Sequence, residues 1–174
     1  GNYIYIAAAG TSSQVQVGDV INSQNPQNIA QRTLPNVAGS WPDGLSIRYF
    51  RDMLYVGVHR TAGHEFHIYD VHTPSSPLWR GSIELNHNIN DIVISWPYAY
   101  LASSGNTKDV IILDISDSTK PKELAGIAFS GNEDTLRLHR IGNRLFAGRT
   151  KASSTINSEF IALDISSSTN PTLI

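Results

Sequence analysis

The 174-residue sequence has no cysteine and a single methionine. Without thiols there is no disulfide, no cysteine-ligated metal and no thiol nucleophile. Charged residues are scarce at 16% and the formal net charge is -2, so no basic field invites nucleic acid or an anionic lipid surface. No apolar run reaches the roughly 18 residues of a membrane-spanning helix. Apolar residues nowhere hold a 3.6-residue period long enough for a helix of any kind. Enzyme signatures are missing too: there is no GxSxG nucleophile elbow, no GxxxxGK[ST] phosphate loop and no dinucleotide fingerprint. What remains is a chain that is 40% hydrophobic, sufficient for one buried domain or for several small units sharing a core.

Present instead is a repeat. An aspartate with a proline seven residues on occurs four times, as "DVINSQNP" (Asp19 to Pro26), "DVHTPSSP" (Asp70 to Pro77), "DISDSTKP" (Asp114 to Pro121) and "DISSSTNP" (Asp164 to Pro171). The aspartates lie 51, 44 and 50 residues apart. Upstream of each, apolar residues alternate as in a half-buried strand: Val15 and Val17, Phe66 and Ile68, Val110 and Ile112, Phe160 and Ala162. A second β-rich run precedes that strand, with an aromatic recurring as Tyr5, Tyr55, Tyr100 and Phe146. Further short strands follow the proline and precede the aromatic run. Four short strands in a period of 44 to 51 residues make one propeller blade. In this reading Asp19, Asp70, Asp114 and Asp164 accept backbone N–H bonds within the turn. Pro26, Pro77, Pro121 and Pro171 fix φ where the outer strand begins.

The recurring segments, among them "PYAYLAS…VIILDISDSTKP" and "DMLYVGV…FHIYDVHTPSSP", resemble the LVIVD-repeat β-propellers of bacteria and archaea, many of which are surface proteins. The likeness runs along essentially the whole chain. It implies a propeller, usually of more than four blades, and no chemistry, because the repeat is scaffold. The fold expected is therefore all-β: a β-propeller segment over residues 1–174, built of four-stranded antiparallel blades, with repeats at approximately 1–44, 45–90, 91–134 and 135–174. Gly1-Asn2-Tyr3 aligns with Gly142-Asn143-Arg144, and Thr172-Leu173-Ile174 with the start of an outer strand. A larger or multi-chain ring is thus expected, completed by further blades or by another chain.

Three groups of residues could carry chemistry. His59, His64, Glu65 and His67 crowd one hairpin with donor types that suit Zn²⁺, although the helical HExxH spacing is absent. Asp43, Asp91 and Asp134 precede or open the inner strands, with His87 and Asn86, Asn88 and Asn90 nearby, where convergence at the axis would suit Ca²⁺ or Mg²⁺. Trp41, Trp79 and Trp96 could anchor a partner or a sugar, but packing between sheets explains them better. Arg137, His139, Arg140, Arg144 and Arg149 read as a solvated basic face. In the first two groups the reading preferred is structural, with each acid capping its own turn and the histidines on a variable hairpin tip, so no cofactor is expected. The function expected is a non-enzymatic scaffold for a protein or glycan partner, at the cell surface or outside the cell, with the cytoplasm left open. The alternatives are an enzyme or metal site on the axial face and an assembly module.

Overall fold

Alternation along the chain is realised as antiparallel meanders. The computed structural model describes residues 1–10, 12–37, 42–105, 107–151 and 158–174, and among them there are strands but no helix, so no helix crosses a membrane. The first sheet holds β1 (Tyr3–Ala7), β2 (Val15–Asp19) and β3 (Gln27–Arg32). The second holds β4 (Gly44–Phe50), β5 (Met53–Val58), β6 (Phe66–Asp70) and β7 (Leu78–Ile83). The third runs through β8 (Asn88–Ser95), β9 (Tyr98–Ser104), β10 (Val110–Asp114) and β11 (Lys122–Ile127). The fourth consists of β12 (Thr135–Ile141), β13 (Arg144–Arg149), β14 (Phe160–Asp164) and β15 (Thr172–Leu173). In every sheet the strands lie in chain order.

In the second and third sheets the two central strands bury both faces, one against the preceding sheet and one against the following sheet. Leu54 and Val56 of β5 look back and join Val15 and Leu34 in one core. Tyr55, between them, looks forward and joins Phe66, Leu101 and Leu113 in the next. Tyr100 repeats the arrangement one sheet on, in a core with Val110, Leu145 and Leu163. Three apolar cores therefore join four sheets into an arc, and strand alternation alone assigns each residue to its core.

The aspartate–proline turn is built identically four times. The carboxylates of Asp19, Asp70, Asp114 and Asp164 accept the N–H of Ile21, His72, Ser116 and Ser166 at 2.8, 2.9, 2.8 and 2.8 Å. Hydrogen bonding to Ser116 and to Ser166 holds the Asp114 and Asp164 carboxyls below the usual range. Within each octapeptide a tighter turn closes from Asn25 to Asn22, Ser76 to Thr73, Lys120 to Asp117 and Asn170 to Ser167. The turn also touches the preceding sheet. Arg32 Nε donates to the Pro77 carbonyl at 3.0 Å, and a Cβ on Gly81 would lie 2.6 Å from the Ser118 carbonyl oxygen.

A second repeated device is invisible as a motif. One residue before β2, β6, β10 and β14 stand Gln14, Glu65, Asp109 and Glu159. The first three are buried, and their side-chain oxygens accept the N–H of Leu34 (3.2 Å), Leu85 (2.7 Å) and Phe129 (2.7 Å). The sequence suggests outer strands running to Leu34, Leu85 and Phe129. They stop at Arg32, Ile83 and Ile127 because those later N–H groups are donated to a side chain rather than to the ladder.

Candidate functional site

The hairpin group divides among separate structural tasks. Glu65 is buried, and its carboxylate accepts Thr61 N–H at 3.2 Å, Leu85 N–H at 2.7 Å and Asn86 N–H at 3.0 Å. His64 Nδ1 lies 2.6 Å from Ser82 Oγ, and His59 Nδ1 lies 3.3 Å from Asn88 Oδ1. His67 is buried, and its Nε2–H donates to the His64 carbonyl at 2.8 Å, which leaves Nδ1 unprotonated and without a partner. Desolvation lowers the His67 pKa to about 4. Among the described residues no three His, Asp or Glu side chains converge as a metal ion requires.

The axial acids also separate, and register explains how. Gly44 pairs with Val58 and Thr135 with Arg149, while Ile89 pairs with Ser103. Asp43, Asn88 and Asp134 thus occupy one repeat position, directly before those residues. Asp91 lies beyond a bulge, equivalent to Ser46 and Arg137. Its carboxylate accepts Leu138 N–H at 2.9 Å and Ile92 N–H at 2.8 Å, and stands 3.7 Å from Arg48. Asp91 accordingly ties the second, third and fourth sheets together.

At the true repeat position, each side chain faces the hairpin loop of the sheet before it. Asp43 Oδ1 accepts Gly10 N–H at 2.7 Å, and Asn88 Oδ1 accepts Arg60 N–H at 2.8 Å. The third member departs from this pattern. The Asp134 carboxylate makes no hydrogen bond with any described residue, although its main chain is held by Thr150 through N–H to Oγ1 at 3.0 Å. It lines an open pocket of about 550 Å³ with Arg60, Asn86, His87, Asn88, Ser104, Gly105 and Thr107. The Arg60 side chain is exposed there and has no carboxylate partner among the described residues.

His87 forms the pocket's fixed wall. Its Nδ1–H donates to the Leu85 carbonyl at 2.7 Å, and Nε2 lies 2.9 Å from Thr107 Oγ1. Gly105, at φ 137°, lies over the ring, where a Cβ would come 2.8 Å from His87 Cδ2. Thus Asp134 and His87 share a pocket, whereas Asp43 and Asp91 are occupied elsewhere. Arg60 and Thr107 are lining residues that the sequence reading missed. Their signal was the hairpin loops of neighbouring repeats rather than any motif.

Two other expectations change. Trp79 and Trp96 are exposed rather than packed between sheets, with Arg51 5.8 Å from the Trp96 ring; Trp41 lies outside the described residues. Arg149 is not on a solvated face. Its guanidinium is buried 3.5 Å from Asp109 and 3.6 Å from Glu133, donates to the carbonyls of Ser130, Ser158 and Glu133, and lies 5.3 Å from the Phe129 ring centroid. Burial raises the Asp109 pKa, against the lowering effects of Phe129 N–H and Arg149.

Comparison with known proteins bears on the fold. The chain is similar to the computationally designed Ika4 protein, at 13% identity and a TM-score of 0.61 over 88% of this chain and 82% of that one. It is similar to the computationally designed Ika8 protein at 12% identity and a TM-score of 0.61, spanning 45% of that chain with all of its own length. A Bacteroides ovatus protein described as xyloglucan PUL GH43B matches at 12% identity and a TM-score of 0.54 over 94% of this chain and 36% of its own. No curated protein matches the sequence. The LVIVD repeat model matches residues 88–129, a narrower span than the whole-chain likeness read from the sequence. Those residues contain the whole of the third sheet, from Asn88 to Ile127, and end at Phe129, the residue held by Asp109. The chain is an all-β protein with a β-propeller fold, and its third sheet matches the LVIVD repeat model.

Proposed function

We propose that the protein is a non-enzymatic binding propeller, displayed at the cell surface or outside the cell, whose pocket over His87 takes a hydroxyl-rich ligand of the glycan class. The observation that carries this reading is the Asp134 carboxylate. Its two counterparts are consumed in capping the preceding hairpin, while Asp134 is left facing a pocket. Around it stand an exposed guanidinium, two amides and two hydroxyl groups, a set of donors and acceptors that matches vicinal hydroxyls. The surface setting rests on the resemblance to LVIVD-repeat propellers.

The test is glycan-array screening followed by calorimetric titration of the best ligand. Asp134→Ala is expected to weaken binding about tenfold, the loss of one hydrogen bond to a charged group, with thermal stability unchanged. A ligand bound equally well by Asp134→Ala and Arg60→Ala would move the site elsewhere.

A further inference from the structure

The two outer sheets of the arc present the two halves of the same junction. Forward-facing residues of each sheet recur in register: Tyr55 and Phe66 in the second sheet correspond to Phe146 and Phe160 in the fourth. The Tyr55–Phe66 pair, with ring centroids 6.2 Å apart, lies beneath the third sheet, and Phe66 is 0% exposed. The Phe146–Phe160 pair keeps the same stacked arrangement at 5.8 Å, yet Phe160 is 64% exposed. Backward-facing residues recur likewise. Ile4 and Ile6 of β1 stand where Leu54 and Val56 stand in β5, and are 44% and 42% exposed against 0% for both counterparts.

The turns repeat the contrast. Pro77 and Pro121 are buried, while Pro26 of the first turn is exposed and its neighbour Ile21 is 66% exposed. No apolar cluster among the described residues joins the first sheet to the fourth. The two open faces therefore belong to one junction type and are not applied to each other.

We propose that a second copy of this chain covers them, with the Phe146–Phe160 face of one copy packed on the Ile4–Ile6 face of the next. The contact is head to tail and continues the three junctions already present within the chain. A sheet of this same repeat offers the matching half in the matching register, and residues 1–174 carry both halves. Such an interface is heterologous, so the faces on the two partners differ, and it closes where the rotation between copies returns to its start. It is independent of the pocket over His87.

Native mass spectrometry with light scattering over a dilution series tests the proposal. The wild-type chain is expected at a multiple of 19.1 kDa that dissociates to 19.1 kDa on dilution. Phe160→Glu and Ile4→Glu each change an exposed side chain, so circular dichroism should show both folded, and each alone is expected at 19.1 kDa. Mixing the two variants restores one intact junction, because the Ile4→Glu chain keeps its aromatic face and the Phe160→Glu chain its Ile4–Ile6 face. A one-to-one pair should then appear. A wild-type chain that stays at 19.1 kDa throughout overturns the proposal. So does an oligomer indifferent to either substitution, and so does a mixture that forms no pair.

Discussion

His67 gives the protein a specific sensitivity to mild acid. The ring is buried, donates through Nε2 to the His64 carbonyl, and has an Nδ1 that faces no acceptor or donor. Protonating Nδ1 would place a charge in an apolar setting, and desolvation accordingly lowers the folded pKa to about 4 from the ordinary histidine value of 6.5. Because the folded value is depressed, the unfolded chain binds the extra proton first. Stability is full above the unfolded pKa and is lost as the pH falls from 6.5 toward about 4. At about 1.4 kcal/mol per pKa unit the loss amounts to about 3 kcal/mol, a large share of the roughly 5–15 kcal/mol that holds a typical domain. The perturbation is His67→Gln, whose side-chain amide can still donate to His64 but does not titrate. Urea midpoints measured at steps between pH 7 and pH 4 should fall steeply for the wild type and much less for the variant. Asp109, Asp114 and Asp164 are common to both proteins, so their titrations cancel in the difference. Parallel loss of stability in the two proteins, or a His67 ring resonance titrating near 6.5, would refute the reasoning.

Glu65→Ala removes the acceptor of three main-chain N–H groups in a buried loop, and should destabilise by about 3–5 kcal/mol in chemical denaturation. Glu65→Gln keeps an acceptor, as Gln14 does in the first sheet, and should cost about 1–2 kcal/mol. Gly81→Ala drives a methyl to within 2.8 Å of Thr119 backbone atoms, so a melting-temperature drop matching about 1–3 kcal/mol is expected. Arg149→Met leaves Asp109 and Glu133 buried without their shared cation, which should cost about 3–5 kcal/mol at neutral pH and less in acid, where the carboxyls protonate.

The parts of the fold legible in the sequence are those made by neighbours along the chain. An aspartate that accepts the N–H two residues on needs only its own turn, so "DISDSTKP" and "DISSSTNP" announce the same geometry twice. The alternation of Leu54, Tyr55 and Val56 likewise assigns forward and backward faces before any sheet is seen. The acids at the axis were harder to place. Bulges between Gly44 and Ser46, Ile89 and Asp91, and Thr135 and Arg137 shift the register. All three inner strands carry that bulge, so ten residues back from Met53, Tyr98 and Arg144 stand Asp43, Asn88 and Asp134; it is the amide in place of a carboxylate at Asn88 that draws the eye to Asp91 instead. The row of Gln14, Glu65 and Asp109 escaped notice for another reason. What recurs is an oxygen acceptor at one position, carried by three different side chains, and its partner lies twenty residues away. The buried Arg149 network has no counterpart among the described residues of the other sheets, so no repeat could reveal it.

The hairpin caps have a consequence in time. Gly10 N–H waits for Asp43 and Arg60 N–H waits for Asn88, so these two loops gain that cap only when the following repeat arrives. A ribosome adding about 5–20 residues per second needs roughly 2–10 seconds to deliver the next repeat. During that interval the newest hairpin is exposed on the nascent chain, with its loop N–H open to water and its forward face uncovered. For the first two hairpins the cap therefore arrives in the direction of synthesis, each supplied by the sheet that follows.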